Sequence, residues 1–163
     1  MNDFARKIHN SNPTKISENI DPILGKKKQD ELDRIRPDRQ NYKTILIVDD
    51  EPDITYTLKL ALENNNEKYK VLTYNNPITL LSEFTPNFCD LLLVDINMPF
   101  INGFELCKKI LEIDLNVRIC FMSTGEINLD ALRDLYPNKS MGCFIKKPIL
   151  IKNLIRMVEE ELD

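Results

Sequence analysis

The chain has 163 residues, 42% hydrophobic and 29% charged, with a formal net charge of -4, which suits one ordinary globular domain with a tail and excludes two well-packed ones. No apolar run approaches the ~18 residues needed to span a bilayer, and the N-terminus lacks the apolar core of a signal peptide, so a cytoplasmic protein without membrane association is expected. Residues 1–43 carry ten Lys and Arg against seven Asp and Glu, and the remainder twelve against nineteen; so acidic a body does not favour nucleic acid as a direct partner.

Residues 1–42 are polar, with Pro13, Pro22, Pro37 and the run Lys26-Lys27-Lys28. They offer no sustained apolar face and are expected to form a disordered N-terminal extension to a domain spanning 43–163. From Thr44 onward, short apolar runs alternate with segments of helical period. Ile45-Leu46-Ile47-Val48 is a β-branched run that stops at Asp49-Asp50, the pattern of a buried parallel strand. Pro52 suits the first turn of a helix, which continues through Ile54, Leu58, Ala61 and Leu62 to the Asn64-Asn65-Asn66 stop. Lys70–Tyr74 is a second strand. Pro77 opens a helix with Ile78, Leu81 and Phe84 on its apolar face, and Pro86 stops it.

Leu91–Val94 is a third strand, again ending in an aspartate, Asp95. Phe104, Cys107, Ile110 and Leu111 line the next helix. Ile119–Met122 is a fourth strand ending in Ser123-Thr124-Gly125, and a short helix is expected around Asn128–Leu135. Gly142–Ile145 is a fifth strand, closed by Lys147-Pro148, and Ile151, Leu154, Ile155 and Val158 make a final amphipathic helix. Five βα units in this length imply an α/β fold with an open, doubly wound parallel sheet.

In such sheets, ligands bind outside the carboxyl ends of the strands. The polar residues that end the runs, Asp49, Asp50, Asp95, Ser123 and Lys147, are therefore brought to one rim. Three carboxylates in one crevice repel one another unless a cation neutralises them. With hard oxygen donors only, Mg²⁺ or a similar cation is expected. Lys147 offers a compact positive charge, and Ser123 a hydroxyl donor. Together these parts can position and neutralise a transferring phosphoryl group, with Asp95 as nucleophile. The cysteines (Cys89, Cys107, Cys120, Cys143) form no CxxC pair and His9 is the single histidine, so buried reduced thiols are expected rather than zinc.

The ordered motifs IVDDEPD, VDINMPFING, FMSTG and KKPI, spread over Thr44–Asp163, closely resemble the CheY-like receiver domain of two-component response regulators. The resemblance implies a flavodoxin-like (βα)5 fold with strand order 2-1-3-4-5. It implies that Asp95 is the phosphoacceptor, that Asp49 and Asp50 hold Mg²⁺, and that the backbone carbonyl of Asn97 completes the metal shell. Ser123 then occupies the switch hydroxyl position, Lys147 that of the family's site lysine, and Phe144 that of the aromatic that reorients on activation. Met98-Pro99 and Gly103 match the loop after the acceptor.

The implied partners are a histidine kinase or phosphotransfer protein upstream and a downstream protein target. No enzymatic turnover beyond the domain's own phosphorylation and dephosphorylation is expected. With no helix-turn-helix pattern and no second domain after Asp163, a stand-alone receiver is expected. Two other readings stand beside this one. A degenerate receiver would serve only as an interaction module. A Mg²⁺-dependent phosphohydrolase would place a DxD nucleophile after the first strand, where this chain has adjacent Asp49-Asp50. Gly125 stands where many members carry a side chain that reaches the hydrolytic water, and the expectation is slow loss of phosphate.

Overall fold

Five parallel strands build the sheet in a computed structural model that describes residues 42–125 and 143–163. The strands are β1 (Lys43–Val48), β2 (Tyr69–Tyr74), β3 (Leu91–Asp95), β4 (Arg118–Ser123) and β5 (Cys143–Lys146). Among the described residues four helices accompany them: α1 (Pro52–Asn65), α2 (Pro77–Glu83), α3 (Gly103–Ile113) and α4 (Ile151–Leu162). The order across the sheet is β2-β1-β3-β4-β5, the order that the resemblance to receiver domains implies. The expected extension, apart from Tyr42, and the expected helix at Asn128–Leu135 lie outside the described residues.

The continuous apolar runs make sense because the sheet is covered on both faces. Alternate residues of each strand feed two cores. Leu46, Val48, Leu92, Val94 and Phe121 pack with Leu80 of α2 and Leu106, Cys107 and Ile110 of α3. Ile45, Ile47, Leu91, Leu93 and Met122 pack with Leu58 and Leu62 of α1 and Leu154, Val158 and Leu162 of α4. Every residue of β3 is buried. Truncating one of its leucines to alanine would cost about 2–5 kcal/mol.

Local signals set the helix ends. Pro52 and Pro77 sit in the first turns of α1 and α2. The Asn76 side chain accepts from Ile78 N and Thr79 N, and the Asn102 side chain accepts from Glu105 N, so α2 and α3 each begin on a side-chain cap. The α2 helix ends at Glu83, short of the expected Pro86, because Phe84 is already extended (φ -69°, ψ 132°). The Thr85-Pro86 pair disfavours a further helical turn.

Two expected face residues are displaced. Ile78 and Ile151 are exposed, because each opens its helix beside the rim. The buried stripes run instead through Pro77 and Leu80 in α2 and through Leu154, Val158 and Leu162 in α4.

Candidate functional site

The rim at the carboxyl ends of β1, β3, β4 and β5 gathers all five polar strand-end residues named above. Asp49, Asp95, Ser123 and Lys147 are buried, and Asp50 is exposed. The Lys147 ammonium lies 2.7 Å from Asp49 Oδ2 and 2.6 Å from Asp95 Oδ1, so one cation bridges two strands. The second oxygen of each carboxylate takes a backbone amide: Glu51 N–H donates to Asp49 Oδ1 at 3.0 Å, and Asn97 N–H donates to Asp95 Oδ2 at 2.9 Å.

Main-chain bonds tie the strand ends into a frame. Lys147 N–H donates to Ser123 O at 2.8 Å and Ile96 N–H donates to Met122 O at 3.0 Å. Ser123 Oγ accepts from Gly125 N–H at 3.1 Å, which leaves its O–H free to donate to an incoming acceptor. Gly103 is required by space. A Cβ there would stand 2.4 Å from Asp95 O, and Gly103 N–H donates to Ile96 O at 2.9 Å. The start of α3 is thus pressed against the strand end that carries Asp95.

Burial pushes the Asp95 carboxyl above the ordinary aspartate range. The Lys147 ammonium offsets this only in part, and the nearby Asp49 adds to the rise. Burial alone would lower Lys147, but its hydrogen bonds to Asp49 and Asp95 outweigh that and hold it above the usual lysine value. Asp49, Asp50 and Asp95 each bring one oxygen within 4.8 Å of the others. Three carboxylates against one ammonium leave net negative charge at this point. The donors are all oxygens, so the set fits a hard divalent cation.

Asn97 sits beside the carboxylates through its N–H, and Phe144 lies in β5, two strands from Asp95, half-buried and stacked on Phe121 of β4 at 5.6 Å and 15°. Phe121 in turn contacts Phe104 at 4.9 Å. Two supporting residues are not apparent from the sequence. Asn75 Nδ2 donates to Asp49 O at 2.8 Å and to Thr55 Oγ1 at 3.1 Å, locking the β1 end to β2 and α1. In the loop after Asp95, Phe100 turns the chain at φ 72° with its ring 80% exposed, a conformation rarely taken by bulky residues. An amide after a strand is the available signal for Asn75, but its partner becomes apparent only once β2 is known to flank β1.

The model of the response regulator receiver domain matches residues 45–159. The chain belongs to this family. As a receiver it is 36% identical over 119 residues to the nisin biosynthesis regulatory protein NisR of Lactococcus lactis subsp. lactis, covering 72% of this chain and 49% of that one. It is 33% identical over 88 residues to sporulation initiation phosphotransferase F of Bacillus subtilis (strain 168), covering 52% of this chain and 68% of that one. The chain spans about half the length of NisR and of the response regulator GtcR of Aneurinibacillus migulanus.

Among solved receivers, the non-phosphorylated HemR receiver domain from Leptospira biflexa superposes with a TM-score of 0.65 at 26% identity, over 74% of this chain and 94% of that one. A CheY-like receiver domain protein from Methanospirillum hungatei JF-1 gives 0.62 at 26%, over 75% and 94%. Among the described residues of this receiver, no helix is long and apolar enough to cross a membrane.

Proposed function

We propose that this receiver takes a phosphoryl group onto Asp95 and uses the change to alter a protein-contact face. The observation that carries the reading is the Lys147 ammonium held between Asp49 Oδ2 and Asp95 Oδ1 at a rim with net negative charge. Asp49, Asp50 and Asp95, with the Asn97 carbonyl, would hold Mg²⁺, which supplies charge neutralisation to the phosphoryl oxygens.

A carboxylate oxygen of Asp95 attacks phosphorus as the bond from phosphorus to the donor breaks. With a phosphohistidine donor the imidazole nitrogen leaves; with acetyl phosphate, acetate leaves. Lys147 shifts its contact from Asp95 to a phosphoryl oxygen, and Ser123 donates its hydroxyl to another. The added charge is about -1.5 to -2. Phe144 then fills the space that Ser123 vacates. This works as a shift between two packings and needs a few kcal/mol of differential interaction.

The donor would be a histidine kinase or phosphotransfer protein, in keeping with the similarity to a sporulation phosphotransferase, and the receiver of the signal a protein rather than DNA. Turnover is limited to the domain's own phosphorylation and dephosphorylation, and the setting is cytoplasmic. The filled acidic, hydroxyl and lysine positions support acceptor chemistry over a purely interacting receiver. The adjacent Asp49-Asp50, in place of a DxD nucleophile, tells against a phosphohydrolase.

Incubation with acetyl phosphate and Mg²⁺ tests the reading: a phosphorylated species should form on the wild type and be absent in Asp95→Asn. Equal labelling of the variant would refute Asp95 as acceptor. Gly125 carries the slow-hydrolysis expectation, since a Cβ there meets only Ser123 Oγ at 3.9 Å and a side chain fits. Gly125→Glu should shorten the phosphate half-life, and an unchanged half-life counts against that role.

A further inference from the structure

Away from the acidic rim, the sheet register brings together two cysteines that are distant in the chain. Cys120 of β4 is matched with Cys143 of β5. Register partners in a parallel ladder project to the same face, here the face covered by α1 and α4. Cys120 is fully enclosed and Cys143 half-buried. Glu161 of α4 reaches the same point: the two sulfurs and one of its carboxylate oxygens all lie within 4.8 Å of one another.

Glu161 is the informative member. It follows Leu154 and Val158 at helical spacing, on the stripe that faces the sheet, where an apolar side chain is the usual occupant. Its neighbours Glu159 and Glu160 are exposed, whereas Glu161 is half-buried. Among the described residues it has no ion-pair partner. Two neutral thiols packed as small hydrophobes would account for the cysteines. They would not account for a carboxylate turned toward them, because a thiol is only a weak donor.

We propose that Cys120, Cys143 and Glu161 form a site for a soft divalent cation of the zinc class, with water in the fourth position. Zinc takes thiolate sulfur at about 2.3 Å and carboxylate oxygen at about 2.0–2.2 Å. The strands fix the two sulfurs, and the Glu161 side chain, the more adjustable member, swings in to complete the set. Binding releases two thiol protons to solvent, so affinity rises with pH. Because Cys120 is enclosed, the cation enters past Cys143 and Glu161. Ligand softness separates this site from the rim: Mg²⁺ prefers the all-oxygen set, and the sulfur pair selects the softer ion. The absence of a CxxC pair and the single histidine point away from zinc in the sequence, but here the sheet register supplies the pairing that sequence spacing does not.

The test is a titration of the reduced full chain with Cd²⁺ in excess Mg²⁺, following the ultraviolet thiolate-to-cadmium charge-transfer absorption, with Zn²⁺ as competitor. The absorption should saturate at one equivalent and be displaced by Zn²⁺. It should vanish in Cys143→Ser, and the affinity should fall on the order of 10-fold or more in Glu161→Gln, since even outer partners of a metal ligand contribute that much. Circular dichroism shows that each variant is folded, and Glu161→Gln, at a half-exposed helix position, provides the test should the cysteine variant unfold. No saturating absorption in the wild type overturns the proposal. So does an undiminished signal in folded Cys143→Ser, or an unchanged affinity in Glu161→Gln.

Discussion

The two rims of the sheet both bury aspartates, and they hold them in different ways. At the amino rim, Asp114 is buried with Oδ2 accepting from Asn87 N–H at 2.6 Å and Oδ1 from Asn116 N–H at 2.9 Å. Asp90 Oδ2 accepts from Thr44 N–H at 2.7 Å. Asp114 is a staple with both oxygens fastened to main chain, and the half-buried Asp90 has one oxygen fastened in the same way. At the carboxyl rim, Asp49 and Asp95 each give one oxygen to the main chain and the other to the same flexible lysine. What a carboxylate can do thus depends on whether its second oxygen is held by the backbone or by a side chain that can let go.

The sharpest way to break this contrast is at Lys147. Lys147→Met should slow phosphorylation by acetyl phosphate by roughly 10²–10³-fold, the usual effect of losing one charge-stabilising donor, with circular dichroism showing the variant folded. A rate within a few-fold of wild type would mean that the lysine is as structural as the amino-rim amides. Asp114→Ala should do the reverse. It strands two backbone N–H groups and should cost about 2–4 kcal/mol in denaturant unfolding, with the phosphorylation rate of the folded protein unchanged.

A smaller effect is expected at Gly103, where an added Cβ meets Asp95 O at 2.4 Å. Gly103→Ala should cost about 1–3 kcal/mol as overpacking against backbone, and should lower Mg²⁺ affinity because the shift falls on Asp95 itself. Unaltered stability and affinity would show that α3 moves aside freely.

The mildest test is pH. In the metal-free protein Asp95 should take up its proton above the ordinary aspartate value near 3.9, because burial, opposed only in part by Lys147, disfavours its charge. As pH falls, the unfolded chain protonates later, at that ordinary value. Ionised Asp95 therefore lowers stability at neutral pH, and the loss is recovered as pH falls through the raised pKa. Mg²⁺ affinity declines over the same interval. A carboxyl-carbon NMR titration reads the proton directly, and Asp95→Asn should stabilise the metal-free protein. Titration at or below the ordinary value would remove the electrostatic half of the contrast.

Much of this site is legible in the sequence because each polar residue ends an apolar run. Asp49, Asp95, Ser123 and Lys147 can be assigned to one rim by the parallel alternation alone. Helix faces are less legible at their first residues: Ile78 and Ile151 have the right period, yet they open helices beside the rim and stay in solvent. Contacts that depend on strand order are not legible at all. Asn75 looks like a turn residue until β2 is placed beside β1. Cys120 and Cys143 look unrelated until the β4–β5 register is known.

The position of each strand in the sheet adds a mechanical consequence. Asp95 ends β3, which is flanked by β1 and β4 and buried at every residue, whereas Lys147 follows β5, a four-residue strand paired along one edge only. The proposed acceptor therefore ends a buried strand paired on both sides, and its proposed reader follows an edge strand. Load from the proposed phosphorylation of Asp95 would relax outward through β5, much as a rigid anvil passes a blow to the lightest part touching it.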